Sequence, residues 1–266
     1  MAKQSWTIHK RQYIFERYLG NGSFGFVYAA HRQPDNRLVA VKVVSLNSEN
    51  PDRARRNSES VVNEFQKARE LTKTTDHIVR MFDVDFDPQL GVAYLVMELG
   101  QQDFEKYLAQ RPYLLPATRK HIWRQLMEIA VTLHRAQIVH RDIKPLNLIM
   151  FPGDVIKLGD LGIAKRVLQI TERTGSRPYS APEVTSAQGS TVLTTKTDVW
   201  SYGAVLYRMT YMARPPLDEP YHRPPVDRRM SHDPNLLDVL RHTLVKTPED
   251  RASVAWLAKH TYTTTN

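Results

Sequence analysis

Residues His140 to Gly162 read HRDIKPLNLIMFPGDVIKLGDLG, and this segment is the most informative part of the sequence. Two short apolar runs, Leu148 to Phe151 and Val155 to Leu158, flank a Pro-Gly-Asp turn, a pattern typical of a β-hairpin. Asn147 precedes this hairpin and Asp160 follows it. The hairpin would bring an amide oxygen and a carboxylate to one edge. Hard oxygen ligands of this kind suit magnesium that is carried on a substrate polyphosphate.

The run HRDIKPLN, followed by Asp-Leu-Gly, resembles the catalytic and metal-binding loops of eukaryotic protein kinases. The three letters HRD could occur by chance, but Lys-Pro-x-x-Asn and the later Asp-x-Gly make chance improbable. The resemblance implies that Asp142 accepts the proton of the substrate hydroxyl and that Lys144 neutralises the transferring phosphoryl group. It also implies Asn147 and Asp160 as magnesium ligands. Leu161 stands where the family pattern has Phe, and because leucine is also an apolar plug we expect activity to survive.

Three glycines, Gly20, Gly22 and Gly25, interrupt two strand-like runs near the N-terminus. Glycine lets the backbone approach phosphates closely, because no side chain intervenes. The pattern G-x-G-x-x-G is weak alone, since dinucleotide-binding folds also use it before a helix. Here a strand-like run, Phe26 to Ala30, follows the third glycine. We therefore predict a hairpin lid over the phosphates of ATP.

A single lysine, Lys42, lies in the middle of the apolar run Leu38 to Val44. Burying a lysine without a partner is costly, so it either points to solvent from an edge strand or pairs with an anion. The V-A-V-K setting favours the phosphate-contacting lysine of the kinase family. Glu64 is the predicted carboxylate partner because it lies beside an apolar helical stripe; Glu59 and Glu70 are the alternatives.

The resemblance also implies which residues contact ATP. Glu98 to Gly100 resembles the hinge, whose backbone groups would bind the adenine edge, while Val27 and Ala40 would cover the adenine from above. Asp103 has two interpretations, a ribose contact or the N-cap of a helix from Phe104. The complete set implied to bind the nucleotide is Leu19, Gly20, Gly22, Gly25, Val27, Ala40, Lys42, Glu98, Gly100, Asp103 and Ile149.

The polar loop after Asp160 resembles an activation segment that closes with Ala-Pro-Glu at residues 181–183. In kinases of this type the arginine before the catalytic aspartate, here Arg141, needs an anion from that loop. Our hypothesis is that phosphorylated Thr171 or Thr174 supplies it, because phosphate–arginine pairs order loops. A flexible threonine-bearing loop with no such role is the alternative.

Two further pairs follow from the resemblance and are structural. Asp198 would cap the backbone of the catalytic loop, and Glu183 would pair with Arg251. An amphipathic helix is predicted over residues 117–136, a buried helix over 198–209 and another amphipathic helix over 236–244. The polar tail from Thr261 is predicted to fray.

The resulting fold class is α+β, a bilobal protein-kinase fold that occupies residues 1–266. The N-lobe, about 1–97, would hold a small antiparallel sheet of five strands and one helix at about 50–73. The hinge would be 98–103, and the larger, mainly helical C-lobe would be about 104–266.

Composition excludes several kinds of site and partner. The 266 residues carry a formal charge of +9 and no cysteine, which excludes disulfides, thiolate zinc sites and cysteine nucleophiles. The basic residues are scattered, without the aromatic-interleaved stripe of a nucleic-acid-binding protein, so we expect no specific nucleic acid and no membrane partner. No apolar run approaches the roughly 18 residues of a membrane span, and no signal peptide is recognisable. We expect an intracellular location, in the cytoplasm or nucleus.

The predicted function is transfer of the γ-phosphoryl group of ATP, with Mg²⁺, to Ser/Thr hydroxyls of protein substrates. An activating kinase, or a second copy acting in trans, would phosphorylate the activation loop. The alternatives are a catalytically weak pseudokinase that acts as a scaffold and a small-molecule kinase of related fold. The segments 7–28, 61–71, 77–87, 93–100, 198–211 and 235–251 also resemble the dual-specificity monopolar spindle checkpoint kinases. That family has Ser and Pro at the positions of Arg141 and Ala181. The sequence is therefore consistent with a divergent member of that family and with another Ser/Thr kinase.

Overall fold

The computed structural model describes residues 5–22, 25–47, 51–167, 170–171, 178–185, 191–192, 194–227 and 231–265. The chain divides into two compact units. The first unit comprises Met1–Gln101 together with Gly159–Ile163, and the second comprises Gln102–Leu158 together with Ala164–Asn266.

The first unit is a six-stranded antiparallel sheet, in the order β1-β2-β3-β4-β6-β5, with one long helix. Its strands are β1 (Ser5–Ile8), β2 (Arg11–Gly22), β3 (Gly25–Arg32), β4 (Arg37–Ser45), β5 (Met81–Asp87) and β6 (Val92–Met97). The helix α1 covers Pro51–Leu71 and begins with a proline, which is well suited to the first turn because its missing N–H has no helical partner there.

The five strands predicted from the sequence are present, and β1 is a sixth that the prediction missed. A two-residue turn, His9 and Lys10, joins β1 to β2, and both residues have positive φ, 46° and 64°. Turns of this kind are normally signalled by Asn or Gly, and neither is present. Burial explains why the strand forms: Ile8 is fully buried in one hydrophobic cluster with Tyr13 and neighbouring strand residues.

Trp6 of β1 packs against the same cluster. Its ring contacts Phe15, Tyr28 and Tyr94 in edge-on or tilted arrangements. Aromatic pairs in such geometries contribute beyond the area they bury. Thus β1 is held by packing more than by turn chemistry.

The second unit contains seven short strands and seven α-helices in the part of the chain that the structure describes. The strands are β7 (Gln102–Asp103), β8 (Ile138–Val139), β9 (Leu148–Phe151), β10 (Val155–Leu158), β11 (Lys165–Arg166), β12 (Ile170–Thr171) and β13 (Thr191–Val192). The helices are α2 (Phe104–Ala109), α3 (Pro116–Arg135), α4 (Pro182–Thr185), α5 (Thr195–Tyr211), α6 (Pro234–Thr243), α7 (Val254–Lys259) and α8 (Thr261–Thr264).

The hairpin β9–β10 has the bounds predicted from the sequence, with Leu148 opposite Leu158. At its turn Gly153 and Asp154 both have positive φ, 80° and 54°. The buried Gln125 of α3 holds this turn: its Nε2 donates to the carbonyl of Asp154 over 2.9 Å, and its Oε1 accepts the N–H of Ile156 over 2.9 Å.

The core of the second unit lies around α3 and α5. The predicted apolar stripe of α3 is buried, including Ile122, Leu126, Ile129 and Leu133. Most of α5 is buried on all sides, as expected for a central helix.

The prediction that the tail from Thr261 frays is wrong. Residues Thr261–Thr264 form α8, and Tyr262 is 1% exposed. Its hydroxyl accepts a hydrogen bond from Arg119 Nε of α3 over 3.2 Å, and Trp123 Nε1 donates to Thr263 Oγ1 over 2.9 Å. Threonine has modest helix propensity, so contacts with α3 outweigh the local preference.

None of the helices among the described residues has both the length and the apolar character that a membrane span requires.

Candidate active site

The first group of predicted site residues lies on one face of the sheet in the first unit. Val27 of β3 is paired with Lys42 of β4, and Ala40 is two residues along β4 from Lys42. Side chains directly opposite each other, or two residues apart on one strand, share a face of a sheet. The sheet therefore brings Val27, Ala40 and Lys42 together, as the nucleotide-site prediction requires.

Lys42 has two carboxylate partners within the first unit. Its Nζ donates to Glu64 Oε2 over 2.8 Å and to Asp160 Oδ1 over 3.1 Å. The Lys42 side chain is 4% exposed and that of Glu64 is 3% exposed. The structure thus places the predicted partner Glu64, on α1, beside the lysine. Glu59, one of the alternatives, pairs instead with Arg55 on the exposed side of α1.

The electrostatics of this group follow from burial and from the excess of negative charge. Burial lowers the pKa of Lys42, but the charges of Asp160 and Glu64 outweigh burial, so the net pKa lies above its usual value. Burial also raises the pKa of Glu64, against the attraction of Lys42. Lys42 is therefore a cation at neutral pH, held by two acidic groups.

The loop that carries Asp160 is fixed by its neighbours. Asp160 has a positive φ of 56°, an unusual conformation for a residue other than glycine and one that is often found at functional sites. Leu161 is 1% exposed, which agrees with its expected part as an apolar plug. Asn63 Nδ2 donates to the carbonyls of Leu161 and Gly162 over 3.2 and 2.9 Å. A Cβ on Gly162 would lie 2.3 Å from Ser60 Oγ, so a side chain at this position would displace the Ser60 hydroxyl.

Asn63 is a positioning residue that the sequence analysis missed. It precedes Glu64 on α1 and, judged by sequence alone, is one more polar residue in a polar helix. No spacing or residue type distinguishes it, because its partners are backbone carbonyls far along the chain.

The second group of predicted residues lies on the loop between β8 and β9 in the second unit. Lys144 Nζ donates to Asp142 Oδ2 over 2.7 Å. Asn147 Nδ2 donates to the carbonyl of Asp142 over 2.8 Å and to its Oδ2 over 3.0 Å. Asp142 and Asn147 are 7% and 8% exposed. The loop therefore gathers a cationic and an amide side chain around one carboxylate, that of Asp142.

Asp198, on α5, holds the backbone of this loop as predicted. Its Oδ2 accepts the N–H of His140 over 2.7 Å, and its Oδ1 accepts the N–H of Arg141 over 2.9 Å. Burial raises the pKa of Asp198, against the attraction of His140 and the two backbone donors. Arg141 has a positive φ of 76°. The two hydrogen bonds thus secure a strained backbone directly before Asp142.

The glycines have separate structural explanations. Gly20 has a φ of 150°, which favours glycine, and lies at a register shift between β2 and β3. A Cβ on Gly25 would lie 1.9 Å from the carbonyl oxygen of Val43, so close approach of β4 requires glycine there. Gly22 pairs with Gly25 at the end of the two strands. The two predicted strands are present, while Ser23 and Phe24 between them lie outside the described residues, and contact with phosphate stays a prediction.

The predicted hinge residues have backbone and capping contacts. The N–H of Glu98 donates to the carbonyl of Arg80 over 3.0 Å, and Glu98 Oε1 accepts the N–H of Arg80 over 2.7 Å. An adenine contact at Glu98 would therefore use its carbonyl. Asp103 Oδ1 accepts the N–H of Lys106, which makes it the N-cap of α2, and Asp103 also pairs with Ile149 of β9.

Three other residues were predicted to contact the nucleotide. Leu19 lies on β2, Gly100 follows β6, and Ile149 lies on β9. Their contacts with ATP stay predictions.

Of the two predicted regulatory threonines, Thr171 lies on β12, which pairs with β13, and Thr174 lies outside the described residues. The structural pair predicted nearby is present: Arg251 donates to both carboxylate oxygens of Glu183, over 2.9 and 3.0 Å. Arg251 is 2% exposed. Two parallel bonds of this type give a buried ion pair a fixed geometry.

The donor set fits magnesium in chemical type. Asn147 and Asp160 offer an amide oxygen and a carboxylate, the hard ligands that magnesium prefers. Within the described ranges, no group of three or more His, Asp or Glu residues could hold a metal ion by itself. Magnesium in nucleotide sites normally takes one or two protein oxygens together with substrate phosphates.

A lysine–glutamate pair on a sheet and helix, an Asp-x-Gly loop beside it, and an HRD loop with its Asn are the signature of a protein kinase. The comparison with protein families agrees: residues 13–263 match the protein kinase domain. The chain belongs to the protein kinase family and has its α+β bilobal fold, with an antiparallel N-lobe sheet and a mainly helical C-lobe.

Among its relatives are the dual specificity protein kinases Ttk of Danio rerio, 30% identical over 98% of this chain, and TTK of Mus musculus, 29% identical over 96%. The probable serine/threonine-protein kinase mps1 of Dictyostelium discoideum is 26% identical over 97% of the chain. These matches cover 28%, 32% and 28% of the relatives, so the chain spans less than a third of their length. The comparisons thus confirm that this chain is similar to the monopolar spindle checkpoint kinases.

Proposed function

We propose that this protein kinase is catalytically active and transfers the γ-phosphoryl group of ATP to Ser/Thr hydroxyls of protein substrates. The observation that carries the proposal is the complete hydrogen-bonded set around Asp142, with Lys144 and Asn147 both on its carboxylate. A pseudokinase would be expected to lack one of the chemical groups, and each is present in this chain.

Each residue has a role that its geometry supports. Asp142 accepts the proton of the substrate hydroxyl, and the Lys144 ammonium beside it offsets charge on the transferring phosphoryl group. Lys42, fixed by Glu64, binds the phosphates of ATP. Asn147 and Asp160 would hold Mg²⁺, which supplies neutralisation of the polyphosphate charge.

Two finer parts of the proposal rest on the relatives and on charge. Two of the relatives carry the name dual specificity kinase, which favours phosphorylation of Tyr as well as Ser/Thr. Arg141 is 7% exposed, so its charged guanidinium has little contact with water; burial lowers its pKa, against the attraction of Asp198 and Asp142. We infer that phosphorylated Thr171 or Thr174, made by an activating kinase or by a second copy, brings an anion to Arg141.

The direct test is phosphate transfer to a generic basic protein by wild type, Asp142→Asn and Asp160→Asn. Both variants should lose activity by about a hundredfold or more, since each removes one preorganised charge. Asp76→Asn is the matched control, because Asp76 is an acidic residue whose side chain is 86% exposed. This variant should keep wild-type activity.

The outcomes separate the candidate functions. Folded wild type that binds Mg–ATP but labels no protein, even after treatment with an activating kinase, would be a scaffold pseudokinase. Labelling only of small molecules would favour the small-molecule kinase. Phosphoamino-acid analysis of labelled substrate then decides between Ser/Thr and dual specificity.

The location inside the cell, in cytoplasm or nucleus, is likewise a proposal. Imaging of the tagged full-length protein tests it, and a secreted or surface-exposed protein would contradict it.

A further inference from the structure

One exposed residue interrupts the buried loop that carries Asp142. Residues 138–148 are all described, and every one of them except Leu146 is buried or partly buried. Leu146 is 57% exposed. Single exposed leucines are common at protein surfaces and need no explanation by themselves. This leucine differs because it lies four residues after Asp142, on the loop to which the proposed function assigns the acceptor hydroxyl.

The turn around Leu146 fixes its position relative to Asp142. Leu146 is the middle residue of a 3-10 turn, Pro145–Asn147, in which the proline restricts the backbone. The N–H of Asn147 donates to the carbonyl of Lys144 over 3.0 Å. The Asn147 side chain donates to the carbonyl of Asp142 over 2.8 Å. The exposed leucine is therefore presented from a secured backbone.

Chain geometry shows which part of a substrate can reach this leucine. Four residues of fully extended chain span at most about 14 Å, so the backbones of Leu146 and Asp142 are no further apart than that. A protein segment whose hydroxyl meets Asp142 needs no more than about four extended residues to bring a second side chain to Leu146. Leu146 thus lies within reach of the substrate residues that surround the acceptor hydroxyl.

The charges beside this turn argue against a basic substrate side chain. The helix α2 packs against the turn, and the acidic residues at its start already have cationic partners. Asp103, the N-cap of α2, pairs with Lys106 Nζ over 3.1 Å. Glu105 Oε1 accepts a hydrogen bond from Arg208 Nη2 over 2.8 Å, and the Arg208 side chain is only 11% exposed. A lysine or arginine of a substrate would find both of these carboxylates compensated.

We propose that Leu146 determines substrate specificity, by receiving an aliphatic side chain of the protein substrate that lies within about four residues of the phosphorylated hydroxyl. Contact between the two side chains favours binding because it removes apolar surface from water. A basic side chain at the same substrate position gains neither apolar contact nor an uncompensated carboxylate of α2. The inference rests on the proposed function, since it takes the acceptor hydroxyl to lie at Asp142.

The experiment measures phosphorylation of a peptide library by the whole chain. Each peptide has one acceptor residue, and every position within about four residues of it is varied in turn. Wild type should prefer Leu, Ile, Val or Met at one of these positions, with kcat/KM about tenfold higher than for Lys at the same position. The difference should lie mainly in KM, because a contact away from the transferred group is made equally in the ground state and the transition state.

Leu146→Glu should reverse this preference and favour Lys or Arg at that position, since the new carboxylate attracts a cation. Damage to the fold would lower activity toward all peptides alike and would not exchange one preference for another. The reversal is therefore the measurement that identifies a specificity-determining residue.

Leu115→Glu is the matched control. Leu115 is 59% exposed, nearly as much as Leu146, and it belongs to the same unit. It lies directly before α3, outside the loop of Asp142, so its replacement should leave the wild-type preference unchanged. Both variants change exposed side chains, and thermal unfolding should therefore show little loss of stability.

The outcomes separate this inference from the proposed function. Wild type that labels no peptide and no protein contradicts the proposed function and, with it, this inference. If wild type phosphorylates peptides but shows no aliphatic preference, or if Leu146→Glu keeps the wild-type preference, only the role of Leu146 is wrong. A Leu115→Glu variant that changes the preference as Leu146→Glu does would also overturn that role, because the effect would then come from surface charge in general.

Discussion

Among single residues, Lys42 is under the strongest electrostatic constraint that the site shows. One cation with a 4% exposed side chain serves two carboxylates, Glu64 and Asp160. Removing one partner from a buried ion pair lowers the free energy of unfolding by much more than the intact pair contributes to it. The reason is that the remaining charge stays buried without compensation.

Lys42→Met should therefore destabilise the protein in a pH-dependent way. Burial already raises the pKa of Glu64 above its ordinary 4.5, and loss of Lys42 would raise that pKa further. A carboxyl group whose pKa is higher in the folded than in the unfolded protein binds its proton more tightly when the protein is folded. It therefore stabilises the folded state at pH values below its unfolded pKa, and this stabilisation is lost as the pH rises through the folded pKa. The deficit in the free energy of unfolding should reach about 3–5 kcal/mol near neutral pH. It should shrink toward pH 4.5, as urea denaturation across this range would show.

The control for this prediction is Lys42→Met with Glu64→Gln. That variant has no titrating Glu64, so the part of the pH dependence that comes from Glu64 should vanish. A Lys42→Met deficit that stays constant between neutral pH and the acid range would contradict the explanation.

Residue type and pattern predicted some of these details and not others. A lysine in an apolar strand must meet an anion, which led to Glu64 without any structure. Asn63 was missed because its partners are the backbone carbonyls of Leu161 and Gly162, which leave no trace in sequence spacing. Gly25 was predicted for a phosphate-related reason, whereas the structure shows that the Val43 carbonyl already excludes a side chain.

At the scale of elements, α8 shows how tertiary contacts determine a helix that local sequence does not favour. Four residues, three of them threonine, are too few for a helix that is stable alone. Tyr262 makes the difference, because its ring is buried beside Trp123 of α3 and its hydroxyl accepts a hydrogen bond from Arg119.

Tyr262→Ala should accordingly lower the free energy of unfolding by about 3–5 kcal/mol, the usual cost of removing a large buried aromatic ring. Tyr262→Phe should cost about 1–3 kcal/mol, since it leaves Arg119 with one fewer acceptor. Thermal or urea unfolding measures both. Thr264→Ala, on the exposed side of the same helix, is the control and should differ little from wild type. Equal stability of Tyr262→Ala and wild type would show that α8 does not support the fold.

The elements that sequence predicted well are those whose signals are local. The hairpin β9–β10 has a turn signal, Pro-Gly-Asp, between two apolar runs, and its predicted bounds are those observed. In contrast, β1 turns into β2 through His9 and Lys10, and α8 depends on α3. Each of these two elements is stabilised by residues that are distant in sequence. A prediction from short segments of sequence could therefore not find them.

For the molecule as a whole, the sequence motifs of the kinase family are divided between the two units. Lys42, Glu64 and Asp160 belong to the first unit, and Asp142, Lys144 and Asn147 belong to the second. The family fold was predictable because these motifs occur in order along the chain. The substrate was not predictable, since fold does not determine what a site acts on.

A non-hydrolysable ATP analogue with Mg²⁺ should raise the unfolding temperature, because a ligand at a hundred times its Kd adds about 2.7 kcal/mol to stability. Lys42→Met should remove most of this shift, since Lys42 is assigned to the phosphates, and EDTA should reduce it. Asp142→Asn should keep the shift, because Asp142 acts on the acceptor hydroxyl. Differential scanning fluorimetry gives all four results. If Asp142→Asn abolished the shift as fully as Lys42→Met does, the division of roles would be wrong.

The aromatic packing of β1 gives this protein a built-in optical reporter. Of its four tryptophans, Trp6 alone belongs to the first unit, while Trp123, Trp200 and Trp256 belong to the second. Replacing those three with phenylalanine would leave an emission spectrum that follows the sheet alone, through the surroundings of Trp6. The unfolding of the first unit can then be followed by its own fluorescence, without any added dye.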